Sequence, residues 1–123
     1  MKISIRNRHV DLTPSQREQI VRRVHFALGR WGIDVTRVDV LLADVNGPRG
    51  GADKLCRVRV RGRGGVDVVI EDLGADLVAT AGDALDRAAR TTTRAFERRR
   101  TVDPRLGAAL RRRLGLRTLA GAR

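Results

Sequence analysis

Apolar and polar residues alternate with a period of two through Lys54–Glu71, KLCRVRVRGRGGVDVVIE. Cys56, Val58 and Val60 fall on one side and Arg57, Arg59 and Arg61 on the other, the pattern of a strand with one dry and one wet face. After Gly62-Arg63-Gly64-Gly65 the alternation resumes with Val66, Val68 and Ile70 on the dry side. Glycines reach the positive φ values that tight hairpins need, so the stretch predicts a β-hairpin. A lone hairpin is not stable in water, and its apolar face requires partners from the rest of the chain.

Those partners are legible on both sides. Residues 2–8 alternate, with Ile3 and Ile5 inward and Lys2, Ser4 and Arg6 outward, which predicts a first strand. Thr13-Pro14-Ser15-Gln16 then supplies a capping residue, a proline for the first helical position and the glutamine of a capping box. The helix it opens is predicted to reach Trp31, with Gly32 as its stop. Ile20, Val21, Val24, Ala27, Leu28 and Trp31 form its apolar stripe, and Arg22, Arg23, Phe26 and Arg30 lie on the other side. Val35–Ala43 predicts a second strand, parallel to the first. Asp44–Asp53 reads as a loop; its Asp-x-Asn-Gly fragment lacks the closing glutamate of a calcium loop, so no metal site is expected. Beyond the hairpin, Asp72–Ala75 reads as a turn, Asp76 as a cap, and Leu77 to about Arg100 as a second helix. Its expected stripe is Val78, Ala81, Leu85, Ala88, Ala89, Thr92 and Phe96, with Arg87, Arg90, Arg94 and Arg98 on the outer face. Asp83 and Asp86 stand four residues before Arg87 and Arg90, the spacing of supporting ion pairs. The predicted fold is α+β, in the order β-α-β-β-β-α, with a four-stranded mixed sheet and both helices on one face. Residues 1–100 are expected to form the domain, and residues 101–123, with six arginines and one acid, a basic tail that is mobile or loosely docked. Within that tail Asp103-Pro104 could open a short helix carrying Leu106, Leu110 and Leu114.

Charge adds a functional direction. The chain of 123 residues has a formal net charge of +12, carried almost wholly by arginine. Such an excess on a small domain points to a polyanion, most often nucleic acid, and arginine both forks onto phosphate and stacks on bases. The expected RNA-binding residues are Arg22, Arg23, Arg30, Arg87, Arg90, Arg94 and Arg98, with Phe26 as the sole stacking candidate. Catalytic patterns are missing: His9 and His25 stand apart, and no nucleophile or metal motif accompanies them. The reading is therefore a binding protein rather than an enzyme, without cofactor, metal or small-molecule substrate. Cys56, the lone cysteine, is expected to be a small buried hydrophobe. No apolar run is long enough to span a membrane and the N-terminus has no signal-peptide core, so a cytoplasmic monomer is expected.

Three stretches carry a family resemblance. ISIRNRHVDLTPSQREQIVRRV is similar to the first strand and helix of the ribosome hibernation-promoting factor family, also called protein Y or ribosome-associated translation inhibitor. LGADLVATAGDALDRAARTTTRAF resembles that family's second helix, and DVNGPRGGADKLCRV a loop and strand of its short, single-domain form. The resemblance covers roughly residues 1–100. It departs at Leu77-Val78, where a Met-Tyr pair is usual, at Phe26, where lysine is common, and at Arg30, where an aromatic is. It implies binding in the small ribosomal subunit through rRNA, occupation of the mRNA and tRNA channel, and silencing of idle ribosomes under stress. Arg22, Arg23, Arg87, Arg90 and Arg94 match the family's basic positions. The alternative reading is a general structured-RNA or DNA-binding domain not restricted to ribosomes.

Overall fold

The computed structural model describes residues 1–45 and 53–113, with side chains through residue 98. Four strands, β1 (Lys2–Arg8), β2 (Val35–Asp44), β3 (Lys54–Gly62) and β4 (Val66–Gly74), accompany two helices, α1 (Pro14–Leu28) and α2 (Leu77–Arg113). The strands lie in the order β1-β2-β3-β4, with β1 parallel to β2 and the other pairs antiparallel. This is the α+β arrangement that the hydrophobic pattern predicts. Contacts divide the chain into two units, Met1–Thr93 and Arg94–Arg123.

Local chemistry sets the element ends. Thr13 accepts from the Gln16 backbone N–H at 3.1 Å while the Gln16 side chain accepts from the Thr13 N–H at 3.0 Å, so the capping box forms. α1 stops at Leu28, and Gly29–Trp31 tightens into a 3-10 turn that ends where the Gly32 N–H donates to the Gly29 carbonyl. The hairpin turns at Gly64 and Gly65, at φ 73° and 80°, values that favour glycine. β2 carries an irregularity between Val35 and Arg37, where the Thr36 hydroxyl donates to the Arg61 carbonyl at 3.0 Å.

In the first unit the core is a layer of valine, leucine and alanine. Val38, Val40 and Leu42 of β2 and Cys56, Val58 and Val60 of β3 are fully buried beneath Ile20, Val24 and Leu28 of α1 and Ala81, Ala84, Leu85 and Ala88 of α2. Full burial of a Val or Leu side chain stabilises by about 1.5–3 kcal/mol. Burial raises the Cys56 thiol to about 12, with the Asp72 charge adding to the effect, so the group is an inert packing atom at neutral pH.

Four expectations need correction. β4 runs on through Gly74, because Leu55 and Lys54 continue to pair with Leu73 and Gly74. The buried face of α2 is rotated from the expected one. Leu77 and Ala84 are buried, whereas Val78 and Ala89 are only partly covered, because an alanine-rich helix specifies its inward face weakly. Ile70 is likewise only half-buried, near the free edge of the sheet. α2 continues past Arg100 through Asp103-Pro104 to Arg113, in keeping with the helical spacing of Val102, Leu106 and Leu110. Residues 114–123, which contain the rest of the expected tail, and the Asn46–Gly47 part of the calcium-loop fragment lie outside the described residues.

Two glycines are placed differently. Gly74 closes β4 directly against Thr80, and a Cβ there would overlap the Thr80 hydroxyl. A Cβ on Gly82 would meet only the Arg23 guanidinium at 3.7 Å, an ordinary contact. Gly82→Ala is therefore expected to stabilise the protein by about 0.5–1 kcal/mol, through helix propensity and a less mobile unfolded chain. A denaturant midpoint that falls instead would show that this contact is tighter than it looks.

Candidate nucleic-acid interface

The helix arginines do not form one free cationic strip. On α1, Arg22 pairs with Glu18 one turn back at 2.8 Å, and Arg23 reaches across to Asp86 of α2 at 2.7 Å. Arg30 lies with its guanidinium 4.8 Å from the centre of the Trp31 ring. On α2, Arg87 is held by the Asp72 carboxylate and also donates to the Glu71 carbonyl at 3.3 Å. The expected i,i+4 pairs give way to these contacts: Arg87 turns to Asp72 rather than Asp83, and Asp86 takes Arg23 rather than Arg90. Packing of helix on helix and helix on strand brings those carboxylates within reach. Arg90 is exposed and borders a cavity of about 540 Å³ whose walls also carry Asp72, Asp76, Asp83 and Asp86. In the second unit Arg94 and Arg98 are exposed on α2.

The pairs of Arg22, Arg23 and Arg87 are solvent-accessible, so each of these binds weakly. Such pairs contribute roughly 0–1 kcal/mol and yield to a phosphate that offers a stronger, charge-assisted bond. Phe26 is 84% exposed, the most exposed large hydrophobic side chain among the described residues, and stands on α1 between Arg22 and Arg30. Ile33, 79% exposed just beyond the 3-10 turn, is a second apolar group that sequence reasoning missed, because no periodicity marks a residue in a turn.

The opposite face of the sheet carries a second set of cations. Strand pairing aligns Lys2, Arg37, Arg61 and Asp67 in one row, Ser4, Asp39, Arg59 and Val69 in the next, and Arg6, Leu41, Arg57 and Glu71 in a third. Its carboxylates hold the arginines in place. Asp39 accepts from Arg37 Nε at 2.9 Å and from Arg61 Nη2 at 2.9 Å, Arg59 forks onto Asp67 at 2.9 and 2.7 Å, and Arg57 meets Glu71 at 2.6 Å. Burial pushes the Asp39 carboxyl up, but bonds from Arg61 and Arg37 outweigh it and hold it below the usual carboxylate value. The Arg59 hydrogen bond lowers Asp67 in the same way. Both folded values are depressed, so these groups contribute stability that is complete above the unfolded value of about 3.9 and is lost as pH falls through the folded values. Melts are expected to be flat from about pH 7 to 5 and to drop below about pH 4. Asp39→Asn should shrink that drop and lower stability at neutral pH.

No group of three or more metal-ligating side chains occurs among the described residues, and no described helix is long and apolar enough to cross a membrane. A scan of curated proteins finds no match. Among solved structures, the chain is similar to a ribosomal subunit interface protein from Coxiella burnetii. The TM-score is 0.64 at 14% identity, over 79% of this chain and 99% of that one. It is also similar to the N-terminal domain of Protein Y from Thermus thermophilus, with a TM-score of 0.62 at 23% identity over 76% and 98% of the two chains. At these identities the likeness establishes the fold. Residues 3–100 match the family described as Sigma 54 modulation protein / S30EA ribosomal protein, and with most of its length covered the chain belongs to that family.

Proposed function

We propose that the protein associates with the ribosome. In this reading it binds the small subunit through phosphate contacts to rRNA, blocks the mRNA and tRNA channel, and silences idle ribosomes in the cytoplasm. The observation that carries this is the family match over residues 3–100, and one of the solved structures that share the fold is named as a ribosomal subunit interface protein. Exposed arginines on both helices suit the task, because phosphate contacts hold a protein on folded RNA without reading sequence. Arg22, Arg23, Arg30, Arg87, Arg90, Arg94 and Arg98 are the proposed phosphate contacts, and the protein acts as a monomer that performs no catalysis.

Co-sedimentation with purified small subunits over a range of salt tests this. A ribosome binder saturates near one copy per subunit. Loading in proportion to RNA length, on any structured RNA, favours the general nucleic-acid binder instead. Phe26 gives an independent readout in the same assay. The ring adds no charge, so Phe26→Ala should leave the salt slope unchanged while lowering affinity by about 1–3 kcal/mol if it stacks on an unpaired base. Unchanged affinity removes stacking and leaves the phosphate contacts standing.

A further inference from the structure

We propose that the helix-free face of the sheet is a second phosphate-binding surface, which takes the backbone of an RNA strand over β1, β2 and β3. This rests on the ribosomal reading for the identity of the RNA and adds a contact surface that the helix arginines do not supply.

A shallow cavity of about 400 Å³ opens on this face. Six arginines line it (Arg6, Arg8, Arg37, Arg57, Arg59 and Arg61) against one carboxylate, Asp39. That carboxylate is already taken by Arg37 and Arg61. Arg6 and Arg8 have no acidic partner among the described residues, so their full charge is available. The other guanidiniums are fixed by one edge to a carboxylate, which orients them at little further entropic cost and leaves N–H donors over. Arg61 Nε, on a residue of the cavity wall, is buried with no hydrogen-bond partner among the described residues. Charge falls off across the sheet: the exposed side chains of β4 include Val69 and Leu73, and its acids Asp67 and Glu71 are matched by Arg59 and Arg57. The field is therefore strongest along β1, the edge strand, where a polyanion can lie without meeting a carboxylate.

RNA backbone fits this surface better than bases do. The lining has no aromatic side chain, so stacking cannot contribute, and arginine spaced at successive strand positions suits a row of phosphates. The helices lie on the other side of the sheet, so the two surfaces can hold different segments of a folded RNA.

The test uses the full chain, an RNA duplex of about sixteen base pairs, and purified small subunits. Arg6→Gln/Arg8→Gln is expected to weaken duplex binding about tenfold near 0.1 M salt and to lower the slope of log K against log salt by between one and two. Arg6→Lys/Arg8→Lys should restore most of the slope, since the charge is kept. Both changes are on exposed side chains, and an unchanged melting temperature verifies the fold. Combined with Arg22→Gln/Arg90→Gln, the losses in affinity for small subunits should multiply, because folded rRNA can meet both surfaces in one complex. A β1 variant with unchanged affinity and slope overturns the proposal, and so does a combined variant no weaker than either parent. If the β1 variant loses duplex binding but the wild-type protein does not pellet with small subunits, this surface stands and the ribosomal reading falls. If the wild-type protein pellets and the β1 variant pellets equally with unchanged duplex affinity, the reverse holds.

Discussion

Trp31→Ala is expected to lower stability by about 3–5 kcal/mol, the usual loss when a buried aromatic is cut to a methyl group. For a domain of this size that is a fall in melting temperature of at least ~12 °C. Trp31 is 3% exposed and closes the end of α1 over the core. Its indole Nε1–H donates to the Thr93 hydroxyl at 2.9 Å, so the ring is also the tie between the α1 end and α2. The two contributions separate. Thr93→Val keeps the packing and removes this acceptor, which should cost about 0.5–1.5 kcal/mol, the usual net contribution of one hydrogen bond. A Trp31→Ala protein that melts like the wild type would mean that the core does not extend beneath the 3-10 turn.

The second large effect is on binding. Reversal of one exposed arginine on each helix, Arg22→Glu/Arg90→Glu, should nearly abolish association with the small subunit. Each reversal removes a phosphate contact and places a carboxylate against the RNA backbone, so the change is four charges in a field where like charges cost several kcal/mol. Stability should move by less than about 1 kcal/mol, since Arg22 gives up only its exposed pair with Glu18 and Arg90 has no partner among the described residues. Small-subunit pelleting and thermal melts on the same preparation decide it. Retained pelleting with a normal melt sinks the helix-phosphate reading, whereas lost pelleting with an early melt would trace the effect to folding.

Much of the fold was legible because its determinants are local. The Thr13–Gln16 capping box, the Gly64–Gly65 turn and the alternation of β3 each involve residues within a few positions of one another. The exposure of Phe26 followed from the same helical spacing that buries Val24 and Leu28. The partners of the site arginines were not legible in this way. Arg23 finds Asp86, 63 residues on, and Arg87 finds Asp72, 15 residues back, because tertiary packing offers a carboxylate closer than the one a helical turn away. The face of α2 was ambiguous for another reason. With alanine at 79, 81, 84, 88 and 89, several stripes bury similar area, and the sheet beneath chooses between them. The outward cations Lys2 and Arg6 of β1 were legible in the alternation of residues 2–8, but their alignment with the arginines of β2 and β3 depends on the strand register, which alternation does not fix.

The junction at Gly74 sets the aim of α2. Gly74 lies against Thr80, the Thr80 hydroxyl donates to the Asp76 carbonyl at 2.6 Å, and Asp76 accepts from the Ala79 N–H at 3.0 Å. The helix thus leaves the sheet as an arm from a closely packed base. With a rise of about 1.5 Å per residue, Arg90 is about 20 Å along that arm from Leu77, so a tilt of about 10° would swing it by about 3 Å. One added methyl group at position 74 touches no phosphate, yet if it were accommodated by a tilt of that size it would shift Arg90 relative to the sheet by roughly the length of a hydrogen bond.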